Sequence, residues 1–194
     1  MPDYRRAYQP GGTFFFTLVT NHRRPLFNDS ANVERLRTAL REVRQQWPFE
    51  PVAGVVLPDH LHFIWTLPPG ESDYSKRIGR MKVLFTKSLI GTKWEVIAAA
   101  AGGSRRRHNE SEVWQRRFWE HVIKDECDFA HHFDYLHYNP VKHALCDCPH
   151  QWPASSFRHW VRRDVYDPDW CCSCSRSSQI APPYPREVDR TVGE

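Results

Sequence analysis

The chain has 194 residues, a length that suits one domain or one domain with a tail. Hydrophobic residues make up 40% and aromatic residues 13% of it, which is enough for a real core. The net charge of +4 is compatible with nucleic-acid binding but does not establish it.

No run of about 18 apolar residues is present, so we predict no membrane-spanning segment. The beginning of the chain also lacks the apolar stretch of a signal peptide. Of the 6 cysteines, all but Cys127 lie beyond residue 145, unlike a disulfide framework spread through a secreted domain. We therefore expect a cytoplasmic protein with reduced thiols.

The first half of the chain predicts three strands and a helix. Residues 13–20 are rich in aromatic and β-branched residues, which favour strands. Asp29 or Ser30 can cap a helix that runs to about Gln46. Two further strands, separated by a tight turn, are predicted over residues 51–57 and 60–67.

The third predicted strand carries two histidines. Side chains alternate between the faces of a strand, so His60 and His62 share one face and Leu61, Phe63 and Trp65 share the other. Two imidazoles side by side can hold one divalent metal ion. From the pair alone, two half-buried structural histidines are the favoured interpretation.

The second half predicts a helix from Ser72 or Asp73 to about Ile90 and a fourth strand over residues 114–124. Between them, residues 93–112 indicate an inserted loop. A last long helix begins after Asp125 or Asp128, and Asn139-Pro140 is expected to end it.

That last helix aligns His131, Tyr135 and Asn139 on one stripe, since residues four apart share a helix face. A different stripe, suited to packing on a sheet, contains Phe129, Phe133 and Leu136. Taken alone, the tyrosine is best interpreted as a residue of an amphipathic helix, hydrogen-bonded at the rim of the core. Beside a metal ion, a positioned phenol can instead perform phosphoryl transfer through a covalent intermediate.

The order β-α-β-β-α-β predicts an α+β, ferredoxin-like domain: an antiparallel sheet with helices on one face, plus the C-terminal tyrosine-bearing helix. We expect this domain to span residues 1–170. Residues 171–194 are predicted to be a mostly disordered tail. Its cysteines, with Cys146 and Cys148, suggest zinc, but we do not favour a zinc site because paired Cys-x-x-Cys motifs are lacking.

Six collinear stretches resemble one known family, the REP-associated tyrosine transposases. These form a branch of the insertion-sequence-200-like transposases within the HUH nuclease superfamily. His-x-His alone is weak, but combined in order with the tyrosine motif and a tryptophan loop it is highly specific. The matching stretches are residues 4–6, 11–13, 56–68, 118–121, 134–143 and 152–157.

The resemblance implies that His60 and His62 bind a divalent metal ion, Mg²⁺ or Mn²⁺, with Asn139 as third ligand. Tyr135 would be the nucleophile, and Tyr138 is its nearest competitor. The implied activity is a metal-dependent single-stranded DNA endonuclease and strand transferase that forms a 5′-phosphotyrosine intermediate. The alternative is a non-catalytic regulatory protein that binds DNA hairpins on the same scaffold.

The implied partner is single-stranded DNA with palindromic hairpin repeats, bound by a monomer or homodimer. Glu120 and His121 are candidates for supporting the catalytic residues. The candidate DNA contacts combine basic side chains with a glycine turn: Arg5, Arg6, Gly11, Gly12, Arg23, Arg24, Arg116, Arg117, Lys142 and His143.

Overall fold

The structure is a computed structural model that describes residues 7–96, 112–173 and 182–193. Within these ranges, strands pair into an antiparallel sheet of order β2-β3-β1-β4. The strands are β1 Thr13–Val19, β2 Glu50–Val56, β3 His60–Thr66 and β4 Trp119–Val122. This order places β3, the histidine strand, in the interior of the sheet.

The helices begin where the sequence places their caps. The side chains of Asp29, Asp73 and Asp125 each accept a hydrogen bond from a backbone N–H of the first helical turn. The helices are α1 Ser30–Gln46, α2 Tyr74–Lys87, α3 Glu126–Lys142, α4 Phe157–Val161 and α5 Arg186–Thr191.

Two hydrophobic cores lie on opposite faces of the sheet. One core packs β-strand residues such as Leu61 and Phe63 against α1 and α2. The other packs Phe15 and Ile64 against α3, α4 and α5. The element order β-α-β-β-α-β followed by the tyrosine-bearing helix confirms the predicted α+β fold.

The predicted boundaries of three elements were wrong. Helix α2 ends at Lys87, before Ile90, and β4 is limited to Trp119–Val122. Helix α3 passes through Pro140 and ends at Lys142, followed by Ala144 with a φ of +53°. Pro140 lies in the last turn, and the His143 N–H still donates to Asn139 O at 3.0 Å.

The predicted disordered tail contains an ordered part. Tyr184, Val188 and Val192 are buried in the core beside α3, so residues 182–193 depart from the expectation of disorder. Residues 174–181 lie outside the described residues, as do residues 97–111 of the predicted inserted loop. The division into residues 1–170 and 171–194 stays a prediction.

Among the described residues, no helix is both long enough and apolar enough to cross a membrane.

Candidate active site

The two histidines of β3 lie on the sheet face that α3 covers. His60 is 2% exposed and His62 is fully buried, and their ring centroids are 5.2 Å apart. Leu61, Phe63 and Trp65 pack in the opposite core, as the strand alternation predicts. The pleat therefore brings both imidazoles to one place.

Each imidazole is oriented through its Nδ1 atom. His60 Nδ1 lies 2.6 Å from the carboxylate of Asp59, and His62 Nδ1 lies 2.9 Å from the hydroxyl of Thr17. Thr17 donates its own proton to the backbone oxygen of Val192, so its oxygen accepts from His62. Both rings then direct the Nε2 lone pair into the site, as metal-binding histidines do.

Asp59 is held in its ionised form. Burial by itself raises the pKa of its carboxyl, but the hydrogen bond with His60, together with Arg23, outweighs burial and lowers that pKa. Arg23 Nη1 lies 3.2 Å from Asp59 Oδ2. The donor set consists of two imidazoles, one oriented by a carboxylate and one by a hydroxyl, and it fits a divalent metal ion.

Tyr135 faces this histidine pair. Its ring is fully buried, with its centroid 5.4 Å from that of His62 and 6.0 Å from that of Phe15. Lys142 donates a hydrogen bond of 3.1 Å to the Tyr135 hydroxyl, and its ammonium lies 4.7 Å from the ring centroid. A cation at the phenol oxygen stabilises negative charge that develops there.

Tyr138, the competing tyrosine, packs with its ring centroid 6.1 Å from that of Tyr184. Burial raises the pKa of its hydroxyl, with a further contribution from Cys171. This environment opposes ionisation of Tyr138, whereas Tyr135 packs against His62 and has the Lys142 ammonium at its hydroxyl. The geometry thus favours Tyr135 as the nucleophile.

The next turns of α3 also reach the site. Asn139 is fully buried one turn after Tyr135. His143, predicted as a DNA contact, has its ring centroid 5.1 Å from that of His60. Lys142 therefore lies at Tyr135, and His143 lies at His60. Both residues were predicted as DNA contacts, and both lie within the candidate active site.

A second network, which the sequence did not single out as a unit, supports α3 from β4. His121 Nε2 lies 2.8 Å from Asp128 Oδ2, and His132 Nδ1 lies 3.0 Å from Asp128 Oδ1. The two imidazoles stack with centroids 4.3 Å apart, and His132 lies 5.1 Å from the ring of Phe15. The spacing of Asp128 and His132, four residues apart on one helix, is the signal that could have revealed it.

The charges of this network are set by burial and pairing. Burial is the largest effect at Asp128 and opposes ionisation, but hydrogen bonds from His121 and the Lys124 backbone lower the pKa of its carboxyl. Burial lowers the pKa of His132. A carboxylate between two imidazoles ties β4 to the helix turn that precedes Tyr135.

Glu120 lies away from this site. Neighbouring residues of β4 point to opposite faces, and Glu120 accepts a hydrogen bond of 3.2 Å from the Tyr74 hydroxyl of α2. Only His121 of the two candidate supporting residues shares a face with the histidine pair, paired in register with Phe15.

The other candidate DNA contacts differ in their exposure and in their hydrogen bonds. Gly11, with a φ of +69°, donates to Glu71 O at 2.8 Å and forms a turn with Gly12. Arg24 donates to Glu112 O at 3.2 Å. Arg116 and Arg117 are exposed just before β4, whereas Arg5 and Arg6 lie outside the described residues.

The C-terminal segment, residues 182–193, covers Tyr135. The ring centroid of Tyr184 is 5.0 Å from that of Tyr135, and Val192 is fully buried. Asp189 lies 2.8 Å from Lys142 Nζ. Sequence reasoning missed this segment because its apolar residues are few and widely spaced.

Comparison with known proteins defines the class of protein. The family model described as "Transposase IS200 like" matches residues 12–138, more than half of the chain. The chain therefore belongs to the IS200-like transposases, a family whose name describes enzymes of DNA transposition.

Closer relatives narrow the assignment. A REP-associated tyrosine transposase of Escherichia coli K12 is 40% identical over 170 residues, which span 88% of this chain and 91% of that protein. A Haemophilus influenzae protein is 39% identical over 171 residues, spanning 88% of this chain and 93% of its own length. A solved REP-associated tyrosine transposase bound to a REP hairpin has a TM-score of 0.73 at 38% identity, covering 93% of this chain and 99% of its own. Within the family, the chain belongs to the REP-associated tyrosine transposases.

Proposed function

We propose that this protein is a metal-dependent single-stranded DNA endonuclease and strand transferase that acts on repeat hairpins. The observation that supports this most directly is the placement of the Tyr135 ring 5.4 Å from His62, on the same face of the sheet. A nucleophile and a pair of metal ligands thereby meet from elements about 70 residues apart in the sequence.

His60 and His62, with Asn139, would hold a Mg²⁺ or Mn²⁺ ion. Such an ion supplies positive charge to a phosphate oxygen and so favours attack at phosphorus. Histidine ligands incline the site toward Mn²⁺ among the hard divalent ions, whereas cellular abundance favours Mg²⁺. Asp59 and Thr17 would keep both imidazoles in the ligating orientation.

The Tyr135 oxygen would attack the phosphorus of a DNA phosphodiester. A bond forms between that oxygen and phosphorus, and the bond from phosphorus to the leaving 3′ oxygen breaks. The products are a 5′-phosphotyrosine and a free 3′-hydroxyl, and reversal by another 3′-hydroxyl joins strands without ATP. Lys142 would stabilise the charge on the phenol oxygen.

The proposed DNA partner rests on the solved relative, which is bound to a REP hairpin. For this chain we propose a hairpin with an adjoining single strand. Exposed basic residues near β4, with Arg23 and His143 at the histidine pair, are suited to phosphate contact. Arg5, Arg6 and the Gly11-Gly12 turn remain candidates on the grounds of the sequence.

DNA must displace the C-terminal segment before it can react. Tyr135 is 0% exposed, and the ring centroid of Tyr184 lies 5.0 Å from that of Tyr135. A phosphodiester cannot reach a fully buried hydroxyl, so the reactive form requires residues 182–193 to move away.

The test uses purified protein, Mn²⁺ and a labelled single strand that carries a hairpin. We expect a covalent protein–DNA adduct that survives denaturing electrophoresis and is absent from Tyr135→Phe. The matched control is Tyr138→Phe, three residues along the same helix, which should retain the adduct. An adduct that persists in Tyr135→Phe would exclude the proposed nucleophile.

The burial of Tyr135 favours one alternative, a regulatory protein that binds hairpins without cleaving them. This alternative predicts hairpin binding with no adduct, with or without Mn²⁺. It also predicts that His60→Ala leaves the function of the protein unchanged, whereas the enzyme would lose cleavage but keep hairpin binding.

A further inference from the structure

A cluster of two cysteines and a histidine lies outside the proposed active site. After α3, the chain forms a short 3₁₀ turn over Pro149–Gln151, and residues 167–173 return beside it. Cys148 is fully buried at this turn, Cys172 is 7% exposed on the returning segment, and His150 lies between them. Two distant parts of the sequence therefore supply three soft or borderline donors to one place.

The two thiols are within bonding reach of each other. Cys148 and Cys172 are paired as a disulfide in the structure, contrary to the expectation that the thiols are reduced. Among the cysteines that the structure describes, Cys127, Cys146 and Cys171 form no disulfide. A disulfide joins only two of the three donors, whereas a metal ion could bind His150 as well.

His150 lies at a distance from Cys172 that suits two ligands of one metal ion, whereas the two sulfur atoms are bonded to each other in the structure and would have to separate on reduction. One donor atom from each of Cys148, His150 and Cys172 lies within 4.8 Å of the others. His150 Nδ1 is 3.7 Å from Cys172 Sγ. Zinc bonds of roughly 2.3 Å to sulfur and 2.0 Å to nitrogen, set at a tetrahedral angle, separate the two ligand atoms by about 3.5 Å.

We propose that Cys148, His150 and Cys172, with both thiols reduced, bind one Zn²⁺ ion. Thiolate and imidazole donors select zinc over the hard ions suited to the proposed active site. The imidazole would exchange its contact with Pro168 O, 3.1 Å from Nδ1, for the metal. This set consists of a Cys-x-His pair and one cysteine far away in the sequence. It needs no Cys-x-x-Cys motif, and the lack of such motifs was the reason that the sequence did not favour zinc.

The surrounding backbone is arranged to hold this set together. Arg158 Nε donates to His150 O at 2.7 Å, and Ser173 donates to Asp147 O through both its backbone N–H, at 2.8 Å, and its hydroxyl, at 3.0 Å. A metal ion here would close a loop between residues 24 positions apart. Because the loop includes Phe157 and Tyr166, which pack against α3, the ion would stabilise that packing.

The experiment measures metal binding by the reduced full-length protein. After treatment with a reductant and removal of metals, the protein is titrated with Zn²⁺, and bound metal is quantified by elemental analysis. Titration with Co²⁺ reports the ligands, since thiolate coordination gives an intense near-ultraviolet charge-transfer band. We expect one tightly bound metal that produces this band, in addition to any ion held by the histidine pair of β3.

Three variants and one control assign the ligands. Cys148→Ser, Cys172→Ser and His150→Ala should each weaken Zn²⁺ binding at least about 100-fold, while Cys127→Ser, at an exposed cysteine, should leave it unchanged. A Zn²⁺ concentration 100-fold above the dissociation constant should raise the Tm of the native protein by about 5–10 °C and leave that of Cys148→Ser unchanged.

Two results would overturn the proposal. One is a reduced protein that binds no Zn²⁺ tightly and regains only a Cys148–Cys172 disulfide on oxidation, as shown by thiol counting. The other is binding that survives Cys148→Ser and Cys172→Ser but is lost in His60→Ala, which would assign the ion to the histidine pair of β3.

Discussion

The C-terminal segment is expected to limit the rate of DNA cleavage, and Val192→Ala tests this. Val192 is fully buried in the core that contains Tyr135. The substitution removes two carbon atoms, each worth about 0.8 kcal/mol of burial, so the covered form loses about 1.6 kcal/mol. At 1.36 kcal/mol per tenfold change, the equilibrium shifts about 15-fold toward the open form.

If the covered form predominates, the initial rate of adduct formation should rise by the same factor of about 15. The hydrogen bond from Thr17 reaches the backbone oxygen of Val192, so the substitution leaves it in place. The matched control is Val165→Ala, which makes the same chemical change at a valine that is 51% exposed. This control should cleave at the native rate.

A second measurement separates access from catalysis. Chemical nitration of Tyr135, located by mass spectrometry in the absence of DNA, should also be faster in Val192→Ala than in Val165→Ala. An unchanged cleavage rate and an unchanged nitration rate, together with a lower Tm for Val192→Ala, would refute the reasoning. The valine would then contribute to stability without controlling access to the tyrosine.

Three further predictions follow from individual contacts. Lys142→Ala should lower the cleavage rate about 10- to 100-fold, because a charged hydrogen bond to Tyr135 is worth about 1.5–3 kcal/mol; hairpin affinity, measured by titration, should change far less. Asp59→Asn should raise the Mn²⁺ concentration for half-maximal cleavage about 10- to 100-fold, and an unchanged value would remove Asp59 from metal binding. The buried His137, whose pKa desolvation lowers from 6.5 to about 3, should make the protein less stable at acid pH. Its depressed pKa stabilises the fold above pH 6.5, and this stability is lost as the pH falls toward 3, so urea unfolding at pH 5 should show a loss of about 2 kcal/mol relative to pH 7.

Local patterns in the sequence were sufficient for the elements and for most of the proposed active site. Strand alternation placed His60 and His62 on one face, and the cap at Asp125 together with helical spacing placed Tyr135 and Asn139 on one stripe. These inferences need only short-range geometry, which neighbouring residues determine. The approach of Tyr135 to His62 was a hypothesis that the packing of α3 on the sheet then supported.

Contacts between residues that are far apart in the sequence could be identified only from the tertiary structure. Arg77 is a charged residue of α2, yet it is 2% exposed and donates to Trp47 O and Pro48 O. Pairing of this kind depends on which backbone carbonyls happen to lie nearby. No pattern along one helix can reveal those carbonyls.

By itself, the sequence determined the α+β order of the elements, the family and the faces on which the histidines and the tyrosine lie, because periodicity and motifs are local properties. Only the tertiary structure brought Lys142 to the phenol, covered Tyr135 with residues 182–193, and joined His150 to Cys148 and Cys172. Each of these depends on how separate segments pack, and packing is a property of the whole folded chain.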